Sequence, residues 1–323
     1  MRLRVSPLLI AAFALSCTLP QPAPLPPNTF AFGVFGDGPY EPWESMRFRR
    51  VIADANRTPL EWFLHIGDIM WYPCSDEEYR NRLAALNTIE HPVIYTPGDN
   101  EWADCFERIA GGYRPLDRLD QLRRTFFAQP GTSIGARRMT VESQAADSTF
   151  GTFVENVRWR RGGLLFATVH QVGLVNNTER FRGRTAADDA EQAARMAAAL
   201  AWLEDAFRIA RTDSMHGVVI AFHANPNLER GPDHIPGHEP FVDKIETLAK
   251  GFAGQVLLIH GDSHEQRVDQ PLRDRSTGAP LTTVTRLETF GSPDIGWVRV
   301  VVDSVAGRIV AMEPRLMPRW LLW

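Results

Sequence analysis

The sequence predicts an α/β fold in four layers, an αββα sandwich with mixed β-sheets, and three observations support it. Five short segments are almost wholly apolar and end abruptly in Gly, Asp, Asn or His. Such runs are typical of strands that are buried on both faces. Helical segments alternate with these runs, which favours parallel strands. Other segments have the spacing of hairpins, which adds antiparallel strands to the same sheets.

The predicted elements follow in chain order. The five apolar runs are residues 29–35, 60–66, 92–96, 217–222 and 255–260. The predicted helices are residues 75–90, 115–127, 186–211 and 241–252. Residues 157–172 are predicted to form a hairpin, and residues 282–312 two or three further strands.

The first 28 residues are predicted to lie outside the folded domain. Arg2 and Arg4 precede an apolar run, 8–15, that is too short to span a bilayer, so residues 1–17 are interpreted as a signal peptide. Residues 18–28 are rich in proline and predict an extended linker. Residues 29–323 are left as one large domain, and 44% hydrophobic content is enough for its core.

Cys17 leaves two interpretations open. The sequence 14–17, Ala-Leu-Ser-Cys, is similar to a bacterial lipoprotein cleavage box, in which Cys17 would carry the lipid. Ordinary signal-peptide cleavage, with Cys17 removed, is the alternative. Both predict an exported protein in the periplasm or cell envelope, and the only membrane contact expected is through the lipid anchor.

The remaining cysteines predict a disulfide bond. Once Cys17 is lipidated or removed, only Cys74 and Cys105 are left. An exported pair is expected to be oxidised.

Charge patterning gives no indication of a nucleic-acid partner. The formal net charge is -4, whereas binding to a phosphate backbone needs a basic excess. The densest basic cluster, 158–161, is interpreted as the solvated edge of a hairpin. A small molecule carrying a phosphoester is the expected partner.

Metal-binding side chains follow all five predicted strands. Ligands of α/β sheets bind beyond the carboxyl ends of the strands. A single Asp or His there would mean little, but a two-metal hydrolase needs a spread of carboxylates and imidazoles over several loops. The six candidate ligands are Asp37, Asp68, Asn100, His223, Asp262 and His264.

The order of these motifs resembles the calcineurin-like metallophosphoesterase superfamily. That family has Asp-x-His, Gly-Asp-x-x-Asp, Gly-Asn-His-Glu/Asp, a lone His and Gly-His-x-His in this order. The corresponding segments here are 37–39 (Asp-Gly-Pro), 67–71 (Gly-Asp-Ile-Met-Trp), 98–101 (Gly-Asp-Asn-Glu), His223 and 261–264 (Gly-Asp-Ser-His). The stretch 98–102, Gly-Asp-Asn-Glu-Trp, is also similar to a bacterial, exported subgroup.

The resemblance implies a metallophosphoesterase fold and a distribution of ligands between two metals. Asp68 would bridge both metals. Asp37 and His264 would bind the first metal, whereas Asn100 and His223 would bind the second. Asp262 stands where the family has a histidine ligand of the second metal.

One family ligand is missing, because Pro39 replaces a histidine. Tyr40 and Tyr72 are the two candidates to fill the gap, since purple acid phosphatases of the same superfamily also lack that histidine and use a tyrosine with ferric iron. Together with Asp262, an oxygen-rich set favours Mn or Fe, with Zn or Mg as further options.

Asn100 and Glu101 are the predicted catalytic residues. Glu101 stands where the family has a histidine that aids the transition state. It is expected either to donate a proton to the leaving group, which needs a raised pKa, or to orient Asn100 or a ligand histidine.

The predicted function is metal-dependent hydrolysis of a phosphoester, with water activated by a two-metal site. The alternative is a catalytically degenerate surface binding or scaffold lipoprotein on the same fold, because three family ligands or catalytic groups are changed.

Overall fold

The computed structural model describes residues 19–230 and 236–319. Residues 1–17 lie outside this part of the chain, so the signal peptide and the lipidation of Cys17 stay predictions. The strands are β1 (Thr29–Phe35), β2 (Phe63–His65), β3 (Val93–Tyr95), β4 (Glu142–Ser143), β5 (Val157–Arg161), β6 (Leu164–Thr168), β7 (Gly217–Ala221), β8 (Gln255–His260), β9 (Arg267–Asp269), β10 (Val284–Glu288), β11 (Gly296–Asp303) and β12 (Arg308–Leu316). The helices are α1 (Glu44–Asn56), α2 (Asp76–Leu86), α3 (Pro115–Phe126), α4 (Ala186–Thr212) and α5 (Glu239–Lys250).

The strands form two mixed sheets. The first has the order β12-β11-β1-β2-β3, in which β1, β2 and β3 are parallel and β11 and β12 are antiparallel additions. The second has the order β4-β5-β6-β7-β8-β10-β9, with a parallel centre from β6 to β10. Its edges are antiparallel, and the β5–β6 hairpin, which lies within the predicted hairpin 157–172, turns at Gly162 and Gly163.

Three apolar cores separate the layers. One core lies between the two sheets and includes Phe32, Trp62, Phe166 and Leu257. A second core lies beneath the helices α1 to α3, on the outer face of the first sheet. The third joins α4 and α5 to the outer face of the second sheet. Helix, sheet, sheet and helix therefore form four layers, and the predicted αββα sandwich is confirmed.

One helix was missing from the prediction. Helix α1 buries Phe48, Val51, Ile52 and Ala55, which have the spacing of one helix face. Basic and polar residues stand between these apolar positions, so the sequence contains no continuous apolar segment that would have indicated the helix. In the structure, α1 places its first residue, Glu44, beside the loop that follows β1.

The proline-rich segment contacts the domain over the part that is described. Leu19 and Leu25 pack against the core beneath α1 to α3. Arg315 donates a hydrogen bond to the carbonyl of Pro20, and Arg299 donates one to the carbonyl of Ala23. Among the described residues, no helix combines the length and the apolar character needed to cross a bilayer.

The predicted disulfide bond between Cys74 and Cys105 is confirmed. It joins the loop after β2 to a short 3-10 helix after β3, Ala103–Phe106. The Cα atoms lie 5.8 Å apart, and both sulfur atoms lie near the carbonyl oxygen of Asn100. The bond therefore fixes two loops that carry candidate ligands.

Candidate metal centre

The candidate ligands meet where the two sheets face each other at the carboxyl ends of their parallel strands. Asp37, Asp68 and Asn100 follow β1, β2 and β3 of the first sheet, whereas His223, Asp262 and His264 follow β7 and β8 of the second. Backbone φ angles at four of these positions are left-handed: 54° at Asp37, 54° at Asp68, 74° at Asp262 and 63° at His264. Such angles are uncommon for residues other than glycine, and strained backbone of this kind concentrates at functional sites.

His223 lies at the centre of the cluster and is fully buried. Its Nε2 atom is 2.9 Å from Oδ1 of Asp99, 3.4 Å from Oδ1 of Asp68 and 3.8 Å from Oδ1 of Asp262. Its Nδ1 atom is 3.0 Å from the carbonyl oxygen of Ile66, which orients the ring. The lone histidine of the motif order therefore points Nε2 into a ring of carboxylates.

Asp37 connects the two sheets. Its Oδ1 accepts a hydrogen bond from the backbone N–H of Asp262 at 2.9 Å. Its Oδ2 is buried and has no hydrogen-bond partner among the described residues. A buried carboxylate oxygen without a partner is costly, so a ligand that supplies positive charge is expected there.

Asp99 belongs to the cluster, although it was not among the predicted ligands. In addition to its contact with His223, Oδ1 of Asp99 accepts a hydrogen bond from the backbone N–H of Gly173 at 2.9 Å. The signal in the sequence was the extra Asp before Asn100 in the third motif. That residue brings a fourth carboxylate to the site.

The crowding of carboxylates shifts their pKa values. Burial, with the charge of Asp262 and Asp99 added, raises the pKa of Asp37 to about 8 although His223 opposes the shift. Burial and Asp99 raise the pKa of Asp262 to about 6. Burial disfavours the charged form of His223, but Asp68, Asp99 and Asp37 outweigh it and raise the pKa of its imidazole well above the usual value. Without another cation, the site therefore retains protons.

These residues fit bound metal ions. Two groups have ligand atoms that all lie within 4.8 Å of one another, and His223 belongs to both: Asp37, Asp68 and His223 form one, and Asp99, His223 and Asp262 form the other. Buried carboxylates that are short of positive charge are suited to cations, and a set dominated by oxygen suits Mn, Fe or Mg. The resemblance, by contrast, assigned the first metal to Asp37 and His264.

His264 and Tyr40 lie beside the first group. Nε2 of His264 is 3.8 Å from Oδ1 of Asp37, and its Nδ1 is held by the carbonyl of Ser292 at 2.7 Å. The Tyr40 hydroxyl donates a hydrogen bond to Oδ2 of Asp68 at 2.7 Å and lies 3.4 Å from Nε2 of His264. Tyr40 thus occupies the side of the site where Pro39 replaces the family histidine.

Tyr72, the other candidate for that gap, points elsewhere. Its side chain is exposed, and its ring lies 5.9 Å from that of Trp71, measured between centroids. Of the two tyrosines, the structure places only Tyr40 at the cluster.

Asn100 reaches the cluster through Asp68. Its side-chain Nδ2 donates to Oδ2 of Asp68 at 2.7 Å, and its backbone N–H donates to Oδ1 at 3.1 Å. The loop after β3 therefore holds the Asp68 carboxylate from two directions.

Glu101 is buried and holds two loops together. Its Oε1 accepts a hydrogen bond from the backbone N–H of Ile69 at 2.7 Å, and its Oε2 accepts one from Gly98 at 3.0 Å. Burial raises the pKa of Glu101, although the hydrogen bond from Ile69 opposes the shift. Glu101 therefore connects the loops after β2 and β3, and its two predicted roles, proton donor or residue that orients Asn100 or a ligand histidine, stay predictions.

Comparison with known proteins finds similar solved structures but no matching family model or curated protein. Among solved structures, a dimetal phosphatase from Danio rerio is 14% identical, with a TM-score of 0.53 over 90% of this chain and 96% of that chain. The protein TT1561 of Thermus thermophilus is 11% identical, with a TM-score of 0.47 over 90% of this chain and 100% of that chain.

The likeness to the dimetal phosphatase extends over nearly the whole described chain, and the strand order places the candidate ligands at one edge of the two sheets. The chain therefore has the fold of the calcineurin-like metallophosphoesterase superfamily.

Proposed function

We propose that this protein hydrolyses a phosphoester at a two-metal centre. The observation that supports it best is the His223 imidazole, which is surrounded by carboxylates from both sheets while Oδ2 of Asp37 has no hydrogen-bond partner among the described residues. No other arrangement of the described residues brings so many metal-capable side chains into one buried cluster.

The side chains have separable tasks in this proposal. Asp37 and Asp68, with Tyr40 and His264 beside them, would hold one cation. Asp99, Asp262 and Nε2 of His223 would hold the other, because Nδ1 of His223 already contacts the carbonyl oxygen of Ile66. Bound cations would supply Lewis-acid chemistry, polarising the phosphoryl group and making water a nucleophile at neutral pH. In the hydrolysis, water adds its hydroxyl to phosphorus, the bond from phosphorus to the leaving oxygen breaks, and the leaving group departs with a proton.

The alternative of a degenerate binding protein is not favoured. It would be supported by an apolar gap at the position of the missing histidine. Instead, the hydroxyl of Tyr40 lies at hydrogen-bonding distance from Asp68 and 3.4 Å from His264, so an oxygen donor is present on that side of the site.

The first experiment measures metal per chain by elemental mass spectrometry, after purification without chelator and loading with Mn²⁺ or iron. We expect close to two metals per chain. A phosphoester screen then compares the loaded wild type with Asp68→Asn and His223→Ala, each of which should lower the rate by at least about 10²-fold. Asp189→Asn, at an exposed position on α4, is the matched control and should retain the rate. Metal content near zero after loading, or full activity of Asp68→Asn, would refute the proposal.

We also propose that the protein is exported and anchored through Cys17. Support comes from the leader pattern in residues 1–17 and from the disulfide bond, which is expected in an oxidising compartment. Fractionation of cells that express the full chain should find the protein with membranes, and Cys17→Ser should release it. Equal distribution of the two forms would contradict lipidation.

A further inference from the structure

Four rings form a continuous row that begins at the metal centre. The imidazole of His264 lies 5.5 Å from the ring of Tyr40, measured between centroids. Tyr40 lies 5.5 Å from Trp71, and Trp71 lies 5.9 Å from Tyr72. The row therefore leads from the cluster, where Tyr40 contacts Asp68, to the protein surface.

The two outer rings of the row are exposed to solvent. Tyr40 is only 9% exposed, whereas Trp71 is 43% exposed and Tyr72 is 36% exposed. Two neighbouring aromatic side chains left in water beside a buried polar site form an apolar surface that the described residues do not cover, and such surfaces typically mark a place where a ligand binds.

The loop that carries the outer rings is anchored at both ends. Glu101 accepts a hydrogen bond from the backbone N–H of Ile69, and Cys74 is held by its disulfide bond to Cys105. A surface built on a fixed loop can bind a rigid, flat group with little loss of conformational freedom.

We propose that Trp71, with Tyr72 beside it, binds the leaving group of the substrate, and that this leaving group carries a planar aromatic ring. The inference rests on the proposed phosphoester hydrolysis and assigns the substrate class of the same site. The phosphoryl group would lie at the cluster beside Tyr40, which places the leaving group next to Trp71. A planar ring can stack on indole or phenol faces, whereas a saturated ring of similar size cannot use their π-systems in the same way.

The test compares two leaving groups of similar size and similar alcohol chemistry. Benzyl and cyclohexylmethyl esters are offered as phosphate monoesters and as methyl diesters to the Mn²⁺-loaded protein. We expect kcat/KM to favour the benzyl ester by about fivefold or more, the scale of one aromatic pair. In Trp71→Ala the ratio should fall to near one, and in Trp71→Phe it should be largely kept. Tyr113→Ala, which removes an exposed ring outside the row, should leave the ratio unchanged.

A binding measurement keeps this inference separate from the proposed function. Benzylphosphonate and cyclohexylmethylphosphonate, which are not hydrolysed, are titrated into the loaded wild type and into Trp71→Ala by calorimetry. Tighter binding of the benzyl compound, lost in Trp71→Ala, supports the aromatic subsite even if no ester is turned over, in which case only the hydrolysis proposal fails. Equal binding of the two compounds, no binding of either, or a preference that survives in Trp71→Ala overturns the inference.

Discussion

The hydroxyl of Tyr40 donates a hydrogen bond to Oδ2 of Asp68, the residue that the motif resemblance assigns as the bridging ligand. Burial and the neighbouring carboxylates raise the pKa of Tyr40 well above its usual value, so the phenol stays protonated unless a cation displaces the proton. This contact places Tyr40, one of the two candidates to fill the gap left by Pro39, beside Asp68.

The first prediction concerns that replacement. After loading with ferric iron, the wild type should show a visible absorption band, because a phenolate bound to Fe³⁺ gives a charge-transfer transition. Tyr40→Phe should lose the band and bind iron at least about tenfold more weakly, the scale of losing one well-placed partner of a metal site. Tyr72→Phe is the matched control and should keep both properties. A band that depends on Tyr72 rather than Tyr40 would contradict the assignment.

The second prediction concerns Asp99. Because its Oδ1 lies 2.9 Å from Nε2 of His223, Asp99→Asn should weaken binding of one cation of the two by at least about tenfold. Titration with Mn²⁺ should then show one tight and one weak site. Asp189→Asn, which changes an exposed carboxyl on α4, should retain two tight sites. Unchanged stoichiometry and affinity in Asp99→Asn would remove Asp99 from the site.

The third prediction separates the two interpretations of Glu101. Glu101→Gln leaves only one acceptor oxygen for the backbone N–H groups of Ile69 and Gly98, so we expect a loss of about 1–3 kcal/mol in the free energy of unfolding. Metal affinity should fall about 10–100-fold, since both ligand loops lose a support.

The pH profile provides the contrasting outcome for Glu101. If the residue only positions the loops, saturating metal should restore most of the rate in Glu101→Gln, and the profile should keep its shape. Loss of the limb on the alkaline side, with stability unchanged, would instead indicate a proton donor.

The fourth prediction concerns a buried ion pair away from the candidate metal centre. Glu155 accepts hydrogen bonds from Arg123 at 2.7 and 3.1 Å and contacts Nδ1 of His170 at 2.7 Å. Burial favours the neutral carboxyl, but Arg123 and His170 outweigh it and hold the pKa of Glu155 well below its ordinary value. Because Glu155→Gln leaves Arg123, whose side chain is only 13% exposed, without its charge partner, we expect a loss of about 3–5 kcal/mol in the free energy of unfolding at pH 7.

The sign of the pH dependence follows from this depressed pKa. The stabilisation is complete above the ordinary value of 4.5, where the unfolded chain is also ionised, and it declines as the pH falls below that value towards the pKa of the folded state. The gap between wild type and Glu155→Gln in chemical denaturation should therefore narrow below about pH 4.5. Glu142→Ala, which removes an exposed partner of Arg158, should cost less than about 1 kcal/mol and serves as the control.

Sequence reasoning located the site because parallel strands end at one edge of a sheet, so any strand-end carboxylate or imidazole is a candidate for it. Asp37, Asp68, His223 and Asp262 were found in this way and lie together. Asp99 was not, since three adjacent side chains, Asp99, Asn100 and Glu101, follow the same strand. Which of them enters the cleft depends on loop dihedrals that no periodicity reveals.

The sequence also did not reveal which side chains from different loops come together in the fold. The choice between Tyr40 and Tyr72 depended on how the loops after β1 and β2 fold over one another, and both tyrosines are near enough in sequence to an Asp of the site. The disulfide bond, by contrast, needed only the count of cysteines and the expected compartment.

The division of the ligands between the two sheets has a mechanical consequence. Asp37, Asp68 and Asp99 belong to one half of the sandwich, and His223, Asp262 and His264 belong to the other. A cation bound by ligands from both sheets would stabilise the packing of one sheet against the other, because it binds only when the two sheets are packed together. Metal supply would then determine how stable the folded protein is against unfolding.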